Sequence, residues 1–415
     1  MEHSSPNKKQ DWKKNVTLFL ASQTVSLFGS SLVQYAIMWH ITMKTQSGIM
    51  MTISIICGFV PMFILSPIAG VWADRYNRKI LIACADALIA FATLILAILY
   101  LLGYGVIWML FAASAIRAVG TGIQTPAVSA ILPQIIPEEQ LIRINGINNS
   151  IQSIIMIISP MVSGALLTTM SIETIFFIDV LTAMIAIYIL LVQLSIPAHA
   201  RSLTRQTASY FSDLQQGLVY IRNHRFVKKY ISFFAVFFVF ITPISLLTPL
   251  QVTRSFGNDV WRLTAIEIAF ALGMMLGGAI IASWGGFRNR IFTMSLASIF
   301  IGLCAMALGI VPVFWGYLVI MGLAGITVPL FNTPATVLIQ EKIEESYLGR
   351  VFGVIGMIST SVMPLSMLIY GPVSDVVRIE WLLLVSGFVM FIMGFMLRAN
   401  KVLVEAGLAR QVQNS

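Results

Sequence analysis

The chain alternates long apolar runs with short polar connections, and the runs have the length of membrane-crossing helices. A helix needs about twenty apolar residues to cross a bilayer. Six such runs precede a polar interval at 197–228 and six follow it, which predicts an all-α integral membrane protein with twelve transmembrane helices. The predicted spans are residues 15–43, 47–72, 79–102, 105–132, 144–170, 172–196, 229–252, 263–284, 289–311, 313–339, 348–373 and 380–399.

The composition agrees with a membrane protein. Of the 415 residues, 58% are hydrophobic and only 10% are charged, whereas a soluble domain carries about 25% charged residues. The expected solvent of most of the chain is therefore a lipid bilayer. The net charge of +9 does not indicate a nucleic-acid partner, because the cations are neither clustered on one domain nor interleaved with stacking aromatic residues.

Lysine and arginine fall mostly in alternate connections, and this asymmetry predicts the orientation of the chain. If both termini are cytoplasmic, nearly all cations lie on the cytoplasmic side. The exceptions are one residue within a span, Arg117, and four on the outer side, Lys44, Arg254, Arg262 and Arg378. We expect a multi-pass protein of the bacterial cytoplasmic membrane.

A repeat relates the two halves of the chain. Thr-Pro-Ala occurs at 125–127 and again at 333–335, and Leu-x-Arg-x-x-Gly occurs at 141–146 and again at 348–353. Two parallel six-helix bundles with a binding site midway between them are implied. The predicted domains are an N-terminal bundle, a cytoplasmic basic linker and a C-terminal bundle, at 1–196, 197–228 and 229–415.

The connection between spans two and three carries a distinctive charged motif, Gly70-x-x-x-Asp74-Arg75-x-x-Arg78-Lys79. Cations alone would serve to orient the chain, but an acid contributes little to orientation. We therefore predict a conformational latch, in which these groups pair with the neighbouring half or with a helix end and separate when the inner side opens. The alternative is that the cations only fix the topology.

This motif resembles the loop signature of the major facilitator superfamily, and the likeness extends over nearly the whole chain. Arg117 with Gly120 and Gly122 in span four resembles the signature of drug–proton antiporters in that family. The runs 117–126, 137–141 and 341–350 resemble the bacterial branch of macrolide-efflux and enterobactin-exporter proteins. Two departures stand out. Asn77 replaces a glycine that the family often has, so we expect a left-handed turn there. The equivalent loop of the second half, 284–290, lacks the acid.

Ionisable side chains inside the bilayer are costly, about +3 kcal/mol each on insertion scales, and each calls for an explanation. Arg117 is expected to anchor an acid whose protonation it modulates, or to form a structural ion pair with Asp86 or a carbonyl. Asp179 in span six is the leading proton-coupling candidate, because a buried acid near a guanidinium can titrate in the range that a proton-coupled pump needs. Asp86 in span three and Glu267 in span eight are competing candidates.

Polar side chains recur at helical spacing on spans one, five and ten, on both halves of the chain. Amides that face lipid are unfavourable, so these stripes are expected to face a wet central cavity or other helices. The predicted cavity residues are Gln23, Gln34, Asn145, Asn149, Gln152, Asn332 and Thr336.

The sequence predicts a secondary transporter that exports hydrophobic or amphiphilic small molecules, macrolide-like drugs or siderophore-like metabolites, by proton antiport and alternating access. The alternatives are a facilitator or importer of a native solute, or a membrane sensor without transport. We expect no enzymatic activity, no metal and no cofactor, with the proton motive force as energy source. No phosphate-binding loop of the G-x-x-x-x-G-K-[ST] type occurs, so ATP is not expected as a partner. The expected oligomeric state is a monomer.

Overall fold

A computed structural model of the chain describes residues 6–194 and 210–408. The fold is built almost entirely from helices, as the apolar runs predict. Its longer helices are α1 (Pro6–Thr45), α2 (Gly48–Arg75), α3 (Arg78–Leu101), α4 (Ile107–Ile135), α5 (Leu141–Thr169), α6 (Ile172–Tyr188), α7 (Tyr210–Asn223), α8 (Arg225–Thr242), α9 (Thr248–Ser255), α10 (Val260–Trp284), α11 (Arg290–Ile310), α12 (Phe314–Lys342), α13 (Glu345–Val376), α14 (Ile379–Ala399) and α15 (Lys401–Ala406). Short segments add one 3₁₀ turn, Glu138–Gln140, and two π-helical turns, Ile189–Gln193 and Pro243–Leu247.

Twelve helical segments within the described residues are long and apolar enough to cross a membrane, which confirms the predicted number of spans. They are α1 to α6, the continuous segment Arg225–Ser255 that contains α8 and α9, and α10 to α14. The helix α7 lies between the two sets of six, inside the interval predicted as the linker. The cytoplasmic position of the termini stays a prediction.

The surface of the molecule is apolar where these helices face outward. Large side chains such as Ile64, Phe91, Trp108, Phe300 and Val319 are exposed on it. A soluble protein does not present so many apolar side chains to water, whereas a bilayer solvates them. The protein is therefore a multi-pass membrane protein.

The chain forms two compact units. Within the described residues, the first unit contains residues 6–41 and 53–194, and the second contains 42–52 and 210–408. The division after the sixth span falls inside the predicted linker. The short segment 42–52, which joins α1 to α2, belongs to the second unit, and the hydropathy pattern did not indicate this.

The two units use equivalent helices in the same way. In the first unit α3 packs against α4 and α6, and in the second unit α11 packs against α12 and α14. These are spans three, four and six of each half, so the packing repeats as the sequence motifs do. Two parallel six-helix repeats account for both observations.

Glycines allow the closest helix approaches in the second unit. A Cβ on Gly302 of α11 would lie 2.6 Å from the carbonyl oxygen of Gly387 on α14, and a Cβ on Gly277 of α10 would lie 2.9 Å from the Cα of Ile326 on α12. Helices in lipid gain little from the hydrophobic effect, so close van der Waals packing of small residues holds them together. These contacts therefore stabilise the second unit.

Candidate functional site

The first unit contains a buried ion pair between Arg117 of α4 and Asp179 of α6. The arginine is 5% exposed and the aspartate 1% exposed, so both charges lie inside the helix bundle. The Asp179 carboxylate also accepts hydrogen bonds from Thr93 Oγ1 at 3.0 Å and from Ser30 Oγ at 3.4 Å. The pair therefore joins α1, α3, α4 and α6 through one carboxylate.

Arg117 makes further contacts that fix its orientation. Its Nη1 also donates to Thr93 Oγ1, and its Nη2 donates to the carbonyl oxygen of Ser30 at 3.1 Å. A buried guanidinium is tolerated when it is paired and hydrogen-bonded in this way. Of the two partners that the sequence suggested, the carbonyl is present and Asp86 is not, since the guanidinium pairs with Asp179.

Asp86 lies in a second buried polar cluster of the same unit. Its Oδ1 accepts hydrogen bonds from Ser26 at 2.8 Å and from Gln124 at 2.7 Å. Its Oδ2 is buried and has no partner among the described residues. Both donors are neutral, so Asp86 differs from Asp179 in having no cation in direct contact within the described residues. The serines that serve the two carboxylates, Ser26 and Ser30, stand one helical turn apart on α1.

Glu267, the third acidic candidate, is on α10 of the second unit, whereas both clusters belong to the first unit. It is half-buried, and no hydrogen bond or ion pair to it occurs within residues 6–194 and 210–408. The structure thus brings Arg117 and Asp179 into contact, places Asp86 in its own cluster, and leaves Glu267 separate.

The predicted cavity residues mostly lie on the surfaces of their own units. Gln23 is half-buried, and its shielded Nε2 has no partner in the described part of the chain. The other six are exposed and therefore do not serve as interior hydrogen-bond donors between helices of one bundle. They are Gln34, Asn145, Asn149, Gln152, Asn332 and Thr336.

The loop motif is held mainly by backbone carbonyls. Arg78 donates to the carbonyl oxygens of Ala73 at 3.0 Å and Ala130 at 2.7 Å, which binds it to the C-terminal end of α4. Lys79 donates to the carbonyl oxygens of Leu191 at 3.1 Å and Leu194 at 2.7 Å, at the end of span six. Cations at helix C-termini are stabilising because unpaired carbonyls and the helix dipole are negative there.

The rest of the motif is less constrained. The Asp74 side chain is 75% exposed and lies 3.8 Å from Arg78, and Arg75 is also exposed. A Cβ on Gly70 would meet no atom within 4 Å.

The expected left-handed turn at Asn77 is wrong. The φ of −66° and ψ of 111° of Asn77 are extended, and its side chain caps α3 by accepting a hydrogen bond from the Lys79 amide. Asparagine is a preferred N-cap residue, which explains its presence.

The equivalent loop in the second unit also has an asparagine helix cap and an arginine that contacts a neighbouring helix. Asn289 caps α11 as Asn77 caps α3, and Arg290 reaches the end of α12 as Arg78 reaches the end of α4. Here the acid comes from α12, since Arg290 forms a bidentate pair with Glu341 at 2.5 and 3.1 Å. The loop lacks an acid of its own, but the second unit supplies one from a neighbouring helix.

We expect the substitutions Arg78→Gln and Asp74→Asn to separate stability from transport. Arg78→Gln removes the charged donor from two carbonyls and should cost about 1.5–3 kcal/mol of stability. Asp74→Asn should change stability by less than about 0.5 kcal/mol, because the acid is exposed, and should reduce transport if the motif is a latch. Thermal unfolding of the purified variants and a cellular transport assay measure the two effects. Equal loss of stability in both variants would contradict the assignment of a stabilising role to Arg78 and not to Asp74.

Sequence reasoning missed several residues of these clusters. Thr93 and Asp86 stand seven residues apart on α3, a spacing that places both on one helix face, and this signal was present. Gln124 gave no comparable signal.

Among the described residues no group of three metal-ligating side chains comes together.

Comparison with known proteins shows which transporters this chain is similar to in sequence. The family model of the Major Facilitator Superfamily matches residues 16–367. Macrolide efflux protein A of Streptococcus pyogenes is 31% identical over 92% of this chain and 94% of its own length. The protein of that name from Enterococcus faecalis is 32% identical over 77% of this chain and 99% of its own. The multidrug efflux pump Tap of Mycobacterium bovis is 23% identical over 86% of each chain.

Solved structures show the same fold at low sequence identity. The nucleoside transporter NupG superposes with a TM-score of 0.67 at 14% identity, covering 95% of this chain and 98% of that one. A POT family transporter superposes with a TM-score of 0.69 at 13% identity, covering 92% of this chain and 95% of that one. These similarities concern the arrangement of helices and not the substrate.

Proposed function

Because this chain belongs to the major facilitator superfamily, we propose that it exports hydrophobic or amphiphilic compounds, with macrolide-like drugs as the leading substrate class. Family membership agrees with the resemblance noted in the sequence and makes the protein a transporter and not an enzyme. The observation that carries the proposal is the 31% identity to macrolide efflux protein A over 92% of the chain. Siderophore-like metabolites are the second substrate class to test.

We further propose that export is driven by protons, with Asp179 as the coupling group. When Asp179 is ionised, Arg117 balances its charge inside the bundle. A proton on this carboxylate would remove that balance and weaken the hydrogen bonds that join α1, α3, α4 and α6. Two protonation states with different internal contacts are what a proton needs in order to bias a conformational equilibrium.

Asp86 is the second candidate for a proton site in this proposal. It is 2% exposed, and its direct donors are the neutral side chains of Ser26 and Gln124. A buried carboxylate without a paired cation is costly, so this position suits a group that carries a proton in part of the cycle.

The exposed amides support a polar substrate pathway. Asn145, Asn149 and Gln152 on α5 and Asn332 and Thr336 on α12 are exposed on their units. Because hydrocarbon does not solvate amides, such faces are stable in a membrane only against water, substrate or protein. We propose that they line the substrate cavity, in a monomer of the bacterial cytoplasmic membrane whose termini are cytoplasmic.

Drug accumulation in a bacterial host lacking its own efflux pumps tests the proposal. Cells that produce the wild-type protein should accumulate several-fold less of a radiolabelled macrolide than cells that carry the empty vector. Asp179→Asn should raise accumulation to the vector level. The matched control is Glu173→Gln, since this acid lies in the first turn of the same helix and is not part of the buried pair.

The energy source is measured in inside-out vesicles. Collapse of the pH gradient should stop macrolide uptake by the wild type, and the Glu173→Gln vesicles should behave identically. Uptake that persists without the gradient would contradict proton antiport and favour a facilitator. Equal accumulation with and without the protein, for both macrolides and a catecholate siderophore, would contradict drug export itself.

A further inference from the structure

The helix α7 lies at the level where two membrane spans of the second unit begin. A single residue, His224, separates the end of α7 at Asn223 from span seven, which begins at Arg225. The same helix packs on α13, whose span begins at Tyr347. Because two spans enter the bilayer directly beside α7, this helix lies at the membrane surface. All three helices belong to the second unit.

One face of α7 is fixed on α13. Tyr220 stacks on Tyr347 with ring centroids 4.4 Å apart and an interplanar angle of 17°. A Cβ on Gly217 would lie 3.2 Å from the carbonyl oxygen of Arg350, so the two helices approach closely there. Ile221, one turn after Gly217, is buried. Residues three and four apart share one side of a helix, so positions 217, 220 and 221 define the packed face.

The opposite face of α7 presents apolar side chains outward. Leu218 is 50% exposed and Val219 is 52% exposed. Arg222, one turn after Leu218, is exposed as well. On a helix at a membrane surface, apolar side chains can enter the boundary between headgroups and acyl chains, where they lose their contact with water. The outward face of α7 thus has the character of an interfacial helix.

Cations surround this apolar pair where α7 meets α8. Four of them are exposed, and none forms an ion pair or a side-chain hydrogen bond within residues 6–194 and 210–408. They are Arg222, Arg225, Lys228 and Lys229. We call these four residues, together with Leu218 and Val219, the α7 corner. Lysine and arginine beside an anionic leaflet are attracted to its headgroup phosphates.

Other cations at the ends of spans have protein partners. Arg78 and Lys79 of the first unit donate to backbone carbonyls, and Arg290 of the second unit pairs with Glu341. Those side chains are used in packing one helix end on another. The cations of the α7 corner have no such use among the described residues, so their charge is available to a ligand.

We propose that the α7 corner binds anionic phospholipids, with Leu218 and Val219 at the acyl boundary and the four cations on the headgroup phosphates. Arginine suits this role because its guanidinium binds phosphate through two parallel hydrogen bonds. Lys228 and Lys229 stand in the first turns of α8, from which long side chains can reach the headgroups. A soluble anion would account for the cations but not for the exposed apolar pair. The proposal concerns the second unit alone and does not depend on the exported substrate.

A fluorescent reporter on α7 tests the proposal. The native Cys57, Cys84 and Cys304 are replaced by serine or alanine, and Val219→Cys is labelled with the environment-sensitive nitrobenzoxadiazole group. In proteoliposomes of phosphatidylcholine, increasing fractions of phosphatidylglycerol should shift the emission to shorter wavelength. Arg222→Gln should raise the phosphatidylglycerol fraction at half-maximal shift about fivefold, since one cation beside an anionic surface contributes about 1 kcal/mol.

Two further variants separate the contributions of charge and apolar contact. Lys44→Gln is the matched control, because it removes an exposed cation at the end of α1 and should leave the lipid dependence unchanged. Leu218→Ser keeps every cation of the corner and should return the emission part of the way to its value in water. Arg222→Gln and Leu218→Ser should both melt at the wild-type temperature, because both side chains are exposed.

Each part of the proposal can be refuted separately. Emission at the wavelength found in water, in every bilayer, would overturn the membrane contact. An equal shift in phosphatidylcholine with and without phosphatidylglycerol would overturn the preference for anionic headgroups. Equal behaviour of Arg222→Gln and Lys44→Gln would overturn the role of the cations. Reversal of the shift by inorganic phosphate, but not by chloride at the same ionic strength, would assign the cations to a soluble anion and overturn lipid binding. The label reports lipid contact whether or not a macrolide is exported.

Discussion

Replacement of Arg117 by methionine should lower the apparent melting temperature of the protein by roughly 3–5 °C and abolish export. The substitution leaves the Asp179 carboxylate buried among hydroxyl donors without a cation. Removal of one partner from a buried ion pair costs about 3–5 kcal/mol, and each kcal/mol corresponds to about 1 °C in a chain of this size. Thermal unfolding of the purified variant measures the loss.

A double variant shows whether the pair between Arg117 and Asp179 only stabilises the fold or is also required for export. Arg117→Met combined with Asp179→Leu removes both charges, and such replacements are often neutral or stabilising. We expect most of the lost melting temperature to return while macrolide export stays at the vector level. The surface control is Arg378→Met, which breaks the exposed pair with Glu380 and should cost less than about 1 kcal/mol. Recovery of export in the double variant would refute the coupling role of Asp179.

Substitution of two adjacent glycines in α10 should give opposite effects. Gly277→Ala places a methyl group 2.9 Å from the Cα and carbonyl carbon of Ile326 on α12, so the helices must move apart. Overpacking of this kind costs about 1–3 kcal/mol. Gly278→Ala meets no atom within 4 Å and should stabilise the helix by about 0.5–1 kcal/mol.

The comparison is internally controlled, because both variants add the same group to neighbouring residues of one helix. Melting temperatures in detergent, measured side by side, should fall for Gly277→Ala and rise slightly for Gly278→Ala. An equal fall in both variants would refute the assignment, because the clash with Ile326 exists only for Gly277→Ala.

The fold was largely predictable because a bilayer imposes a simple rule on sequence. Every span must be apolar for about twenty residues, so the twelve helices can be predicted from the apolar runs of the sequence. The turn between α5 and α6, at residues 170–171, was the least certain connection, and the structure confirms it. The repeat was visible for the same reason, since duplicated motifs such as those at 141–146 and 348–353 keep their spacing.

The partners within the site were not predictable to the same extent. Burial identified Arg117 and Asp179 as residues that need compensation, but their separation along the chain does not say which acid meets which cation. Asp86 was an equally reasonable partner until the helices were placed. Asp375 of α13 accepts hydrogen bonds from the backbone amides of Gly48 and Ile49 in the first turn of α2. This role was missed because an acid at the end of a span usually faces water, and nothing local indicates that it caps another helix.

The contact between the Asp375 carboxylate and the first turn of α2 also sets the order in which the protein is completed. Asp375 lies 327 residues after Gly48, so the first turn of α2 is synthesised long before its cap exists. At about 5–20 residues per second of translation, the interval is about 16–65 s. Through that period the backbone amides of Gly48 and Ile49 need other partners, from water, lipid headgroups or the insertion machinery. This contact is therefore among the last to form as the chain matures.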